Sequence, residues 1–251
     1  MSAAEPVTAH AGTQSQGIPD ATRLRIFTNR LLFRLMLFSM GSAAVVLHTV
    51  GRSEERTWRF AKARARTLAR VLGVRVHVRG LERLDGRPCV FVSNHRSHFD
   101  IAAILGFVPG INRFTAKKEL FREPVLGLVM RTMGMIPVDR EHPEKAIERL
   151  RRLENDGHSL VFFPEGTRSR DGRLGPFKKG AFVTAIELGL PVVPLVCRGS
   201  DRIMPAGGYL TILPGEMEIE ILEPVPTRGL SYERRDALAD RIRQRIAEAL
   251  G

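Results

Sequence analysis

Two cysteines, one tryptophan and two tyrosines are all that the 251 residues contain of those types. Cysteine this scarce excludes a disulfide-built scaffold. Cys89 and Cys197 stand in separate apolar segments without metal-ligand spacing, and they read as reduced core thiols of a cytosolic environment. The few Trp and Tyr residues leave little beside Phe on which bases can stack. Helix-turn-helix, zinc-finger and RNA-recognition signatures are missing too, so nucleic acid is not the expected partner. Neither HExxH, nor a CxxC pair, nor a phosphate loop occurs, so no metal and no cofactor are expected. Without a G-x-S-x-G elbow, a hydrolase working through an acyl-serine is disfavoured.

The positive features begin with charge. There are 39 Lys and Arg residues against 27 Asp and Glu, a net +12, which suits an anionic membrane. A 43% hydrophobic content is that of a globular chain with a real core, and the length suits one α/β domain with an appendage. Residues 1–20 are rich in Ala, Gly, Ser, Thr and Gln without apolar periodicity and read as a disordered tail.

Residues 31–50 are mostly apolar, and twenty helical residues reach about 30 Å, the thickness of a bilayer core. Arg34 and His48 sit near the ends of that run, and no small-residue cleavage site follows, so a retained anchor is expected. In residues 54–72, Trp58, Ala61, Ala65, Leu68 and Leu72 share one helical face, with Arg56, Arg59, Lys62, Arg66 and Arg70 on much of the other. Two readings fit that pattern: a basic helix lying in a membrane interface, or a surface helix packed on the domain.

From residue 74 onward, apolar runs alternate with helical patterns, the signature of an α/β sheet. Strands are expected at 74–78, 89–92, 113–116, 159–163, 192–197 and 217–222, and helices near 98–107, 125–133, 144–155 and 180–187. A closing helix carries Leu238, Ile242, Ile246 and Leu250 on its inner stripe, with Ser231 as its expected cap.

Two polar constellations each follow a strand. In Asn94-His95-Arg96-Ser97-His98-Phe99-Asp100, residues 95 and 100 point apart on a continuous helix. They meet only if His95 lies in the turn leaving the strand and Asp100 in the helix's first turn. The carboxylate then orients one imidazole nitrogen and the other is free to take a proton, the base half of a triad without its own nucleophile. Ser97 with Asp100 three residues on also fits a purely structural helix start. In Phe163-Pro164-Glu165-Gly166-Thr167-Arg168-Ser169, Gly166 permits close backbone approach and Thr167 offers a hydroxyl. Arg168 presents a planar fork suited to phosphate, and Glu165 can hold that guanidinium or the loop. Lys117 and Arg140, in the intervening segments, are further candidate cations.

Taken in order, NHRSHFD, the Lys117–Glu119 segment, GMIPVDR, FPEGTRS and LPVVPL resemble the ordered motifs of the glycerolipid acyltransferases, over roughly residues 75–225. The resemblance is nearest to the bacterial 1-acylglycerol-3-phosphate acyltransferase branch. It implies a mixed β-sheet surrounded by helices, preceded by a membrane-associating two-helix segment at 21–73. It also implies an acyltransferase domain at 74–251, with His95 as base and Asp100 as its orienter. Lys117, Arg140, Glu165, Gly166, Thr167 and Arg168 are placed on the acceptor and its phosphate. The implied reaction moves a fatty acyl group from acyl-CoA or acyl-carrier protein, as co-substrate, to the sn-2 hydroxyl of lysophosphatidic acid. Another lysolipid acceptor, such as a lyso-ornithine lipid or a lysophospholipid, shares the same motifs. The expected location is the cytoplasmic face of a bacterial inner membrane.

Overall fold

The computed structural model describes residues 27–29, 31, 54–138, 150, 156–167, 173–205 and 212–251. Helix α1 (Glu54–Val71) leads into β1 (Val74–Arg79), β2 (Val90–Ser93), α2 (Phe99–Phe107), β3 (Asn112–Lys117), α3 (Pro124–Thr132) and β4 (Ile136–Val138). Then come β5 (Ser159–Phe162), α4 (Gly180–Leu188), β6 (Val192–Arg198), the one-turn α5 (Ser200–Ile203), β7 (Gly215–Ile221) and α6 (Arg235–Leu250). The seven strands form one sheet in the order β1-β7-β6-β2-β5-β3-β4, parallel except where β7 meets β6. The mixed sheet with surrounding helices is the architecture expected above.

Alternation along the central strands divides the core in two. Phe91 of β2 and Val161 of β5 face α1 and α2, while Val90, Val92 and Leu160 face α4 and α6. Both faces of these strands are buried, which is why they read as continuous apolar runs rather than polar–apolar alternation. The β1–β7 edge differs. One face packs Met217, Ile219 and Ile221 inward, and the other pairs Arg79 with Glu218 and Arg198 with Glu218 and Glu220.

Chain direction at the middle of the sheet matters most for function. The connection from β2 through α2 to β3 passes over β5 on one face, and that from β5 through α4 to β6 passes over β2 on the other. The chain thus leaves the adjacent carboxyl ends of β2 and β5 toward opposite faces, opening the crevice where α/β sheets bind ligands.

Of the two readings of residues 54–72, the helix packed on the domain is the one observed. Trp58, Ala61, Ala65, Leu68 and Leu72 are all buried in the α2-side core. Two basic residues on its other side also serve the protein: Lys62 Nζ donates to the carbonyls of Leu105 and Val108, and Arg66 Nε donates to Gly106 O at 2.6 Å. These carbonyls close the last turn of α2, where cations satisfy otherwise unpaired acceptors. Burial first, and Arg66 second, lower the Lys62 pKa from 10.5 to about 8. Unfolding restores the ordinary value, so between those two pH values the unfolded chain holds more protons at this site and stability rises with pH. Lys62→Met is expected to remove that slope, so the wild type's advantage in urea midpoint widens from about pH 7.5 to about pH 9.5. A gap independent of pH would contradict it.

The apolar run at 31–50 lies, Leu31 aside, outside the described residues, as does the predicted helix at 144–155 save Leu150, which is helical and buried. No described helix is long and apolar enough to cross a membrane. Just ahead of the run, Asn29 is buried and its Nδ2 donates to Ile212 O at 2.8 Å. Ser231 does not cap the last α-helix. It precedes a 3-10 turn at Tyr232–Arg234, and the α-helix starts at Arg235 with Leu238, Ile242 and Ile246 buried.

Candidate active site

Strand register brings the two polar constellations together. Val92 of β2 pairs with Phe162 of β5, so three residues further on His95 and Glu165 stand level at the carboxyl edge. Lys117 ends β3 at the same edge, where it pairs with Val138, the last residue of β4. Asn94 fixes the other side of the turn: its Nδ2 donates to Cys197 O at 2.9 Å, and its Oδ1 accepts from Cys197 N at 2.8 Å. Past the end of β2, a side chain thus takes over as the partner of the β6 backbone.

The turn after Asn94 folds His95 back over the start of α2. Asp100 is fully buried, and its Oδ2 accepts from His95 Nδ1, Arg96 N and Ser97 N, each at 2.9 Å. Ser97 Oγ accepts from Phe99 N and donates to Met204 O. The contacts of both readings are therefore present at once, because the carboxylate that closes the helix start also contacts the imidazole. In a neutral imidazole that donates Nδ1–H to Asp100, Nε2 is the nitrogen with the lone pair. The ring stacks on Phe163 at 4.1 Å between centroids, and His95 is 9% exposed, so one apolar wall holds the imidazole and leaves it a narrow opening. Asp100 Oδ1 is buried without a hydrogen-bond partner among the described residues.

Glu165 ties the two motifs together. Its Oε1 accepts from His95 N at 2.9 Å and its Oε2 from Gly175 N at 3.1 Å, so it holds the loop. Gly166 has φ +71, and a Cβ there would fall 2.4 Å from Lys178 Nζ, so the glycine lets that ammonium lie across the loop. Lys117 and Thr167 are exposed at this edge, and Arg140 and Arg168 lie outside the described residues. Burial, and then the Asp100 charge, push the Cys197 thiol pKa upward, and burial pushes that of Cys89 up to about 12. Both therefore remain neutral core thiols and not nucleophiles.

Sequence reasoning gave no role to Asn94, Phe163 or Lys178. Asn94 and Phe163 flank the motifs at strand ends, and that adjacency was their only signal. Lys178 stands in a Lys-Lys-Gly run outside the motifs.

A family model described as Acyltransferase matches residues 75–198. The 1-acyl-sn-glycerol-3-phosphate acyltransferase of Saccharomyces cerevisiae is 32% identical, over 83% of this chain and 70% of that one. The chloroplastic 1-acyl-sn-glycerol-3-phosphate acyltransferase BAT2 of Brassica napus is 41% identical, over 69% of this chain and 50% of its own length. The fold and the comparisons agree that this chain belongs to the acyltransferase family. Within it, the solved structure of the 1-acyl-sn-glycerophosphate (LPA) acyltransferase from Thermotoga maritima matches with a TM-score of 0.73 and 27% identity. That match covers 92% of this chain and 98% of the other. The chain spans about half the length of the plant relatives, 50% of one and 49% of another.

Proposed function

We propose that this protein transfers a fatty acyl group from a thioester, acyl-CoA or acyl-carrier protein, to the sn-2 hydroxyl of lysophosphatidic acid, giving phosphatidic acid. The observation that carries the proposal is the 2.9 Å contact of His95 Nδ1 with the buried Asp100 carboxylate at the switch point of the sheet. His95 Nε2 removes the proton of the lysolipid hydroxyl as that oxygen attacks the thioester carbonyl. Asp100 stabilises the imidazolium that forms. Collapse of the tetrahedral intermediate breaks the carbon–sulfur bond, and the imidazolium returns its proton to the departing thiolate. The base is thus regenerated without net change in the protein, and the chemistry calls for no cofactor beyond the acyl donor.

On this reading Lys117, Arg140, Thr167 and Arg168 bind the acceptor phosphate. The named relatives support a phosphate-bearing acceptor. The apolar run at 31–50 and the net +12 charge support residence on the cytoplasmic face of a bacterial inner membrane.

The test is transfer of a labelled acyl group from acyl-CoA, and separately from acyl-carrier protein, to lysophosphatidic acid and a panel of other lysolipids. The expected result is labelled phosphatidic acid, reduced on the order of 10²–10⁴-fold by His95→Ala. Turnover of another lysolipid alone would move the acceptor, and an undiminished His95→Ala rate would remove the mechanism.

A further inference from the structure

Among the described residues, Arg113 of β3 is the only buried Lys or Arg, 3% exposed, and the reaction above does not use it. Its Nη1 donates to Met133 O at 2.6 Å, and a Cβ on Gly134 would fall only 2.0 Å from the same nitrogen. Gly134 has φ +61, in the left-handed region, so its backbone forms a turn that the guanidinium fills from beneath. On its other side Arg113 pairs with Glu54, in the first turn of α1, and its guanidinium carbon lies 5.3 Å from the centre of the Trp58 ring. His158 Nε2 stands 3.8 Å from the second Glu54 oxygen.

One buried cation therefore joins two places far apart in the chain. The Gly134 turn opens β4, which pairs with β3 from Thr115↔Ile136 to Lys117↔Val138 and ends one residue before Asp139-Arg140. In sequence, three residues separate the apolar run at 31–50 from the start of α1 at Glu54. Burying a guanidinium costs desolvation, and an apolar side chain of similar volume would fill the same space at least as stably. A planar fork in this position does what an apolar group cannot: it sets the angle of one carbonyl and one turn against one helix.

We propose that Arg113 is a positioning residue for the acceptor side of the reaction, setting the Gly134–Val138 segment beside Lys117 according to how α1 is seated. The inference rests on the proposed function for its substrate. Trp58, the single tryptophan, sits against the guanidinium and supplies an optical signal that does not depend on turnover.

The experiment uses the full chain with lysophosphatidic acid in mixed micelles. Arg113→Lys keeps the charge but loses the fork. It is expected to raise the acceptor KM on the order of tenfold while donor KM and kcat stay within about twofold. Gly134→Ala, which displaces the guanidinium from the turn side, is expected to raise the same KM. The double variant should be little worse than either single one, because both break one contact. Glu54→Gln, changed at a half-exposed residue, repeats the test should Arg113→Lys fold poorly. In the wild type, Trp58 emission is expected to change as lysophosphatidic acid is added, and the change should be lost in Arg113→Lys.

Loss of kcat and of both KM values in step with thermal stability would reduce Arg113 to a structural role and overturn the proposal. Additive effects of the two substitutions would also overturn it. A wild type that binds lysophosphatidic acid with a Trp58 response yet transfers no acyl group would instead refute the proposed function and leave the coupling standing. An absent Trp58 response in an active wild type would refute the coupling alone.

Discussion

Asp100→Asn is expected to lower kcat on the order of 10³–10⁴-fold while leaving the fold and the KM of both substrates nearly unchanged. The carboxylate oxygen Oδ2 accepts three hydrogen bonds at 2.9 Å, from His95 Nδ1, Arg96 N and Ser97 N. An asparagine side chain is almost isosteric, and its carbonyl oxygen can keep the two backbone donors. It supplies no charge, however, to stabilise the imidazolium that forms as Nε2 takes the proton. The check is a pair of measurements: steady-state kinetics with lysophosphatidic acid and acyl-CoA, and thermal unfolding of both proteins. A fall in rate matched by a collapse in melting temperature would make Asp100 a helix-start residue, the structural reading of the same segment. A kcat within about tenfold of wild type would refute its role as the orienter.

Glu165→Ala should cost about 10²-fold in kcat, with Glu165→Gln recovering part of that loss. The reason is positional. One carboxylate holds the backbone N–H of His95 and that of Gly175, so the histidine turn and the loop ahead of α4 are set against each other through a single side chain. Alanine leaves both donors unmatched, at about 1–3 kcal/mol for each one kept from water, and the histidine turn is free to shift. Glutamine retains one acceptor oxygen and can serve one of the two. Because Glu165 contacts no titrating atom of the base, the pH profile should keep its shape while its height falls. The acceptor KM separates this role from a direct one. A Glu165→Ala enzyme with normal kcat and a much raised KM for lysophosphatidic acid would mean that the carboxylate meets the substrate, contrary to the arrangement described here.

Some of this architecture can be read directly from residue order. The runs at Val90–Ser93, Ser159–Phe162 and Val192–Arg198 are apolar because both faces of central parallel strands are covered, and each stands out as a short block closed by a polar turn. The apolar stripe from Trp58 to Leu72 fixes which side of α1 is hidden. It does not fix what hides it, since a bilayer and a protein core reward the same periodicity. Lys62 and Arg66 were misleading for a related reason. A long basic side chain reads as a solvated or membrane-facing charge until a helix end with unpaired carbonyls is placed beside it, and Leu105, Gly106 and Val108 lie about forty residues away.

The site divides along the same line. His95 and Asp100 are neighbours within one turn, so short-range geometry and the order of motifs were enough to pair them. Their separation of five residues even dictated a strand-to-helix turn. Glu165 with His95, Asn94 with Cys197, and Arg113 with Gly134 and Glu54 had no such local signature. Each of these contacts depends on which strands lie side by side and in what register. Sequence alone thus determined the pairing of His95 with Asp100, because that contact is specified by residue type and a single turn. Tertiary structure decided the positioning, because hydrogen bonds act over about 3 Å and only the sheet order β6-β2-β5-β3-β4 brings distant residues within that reach.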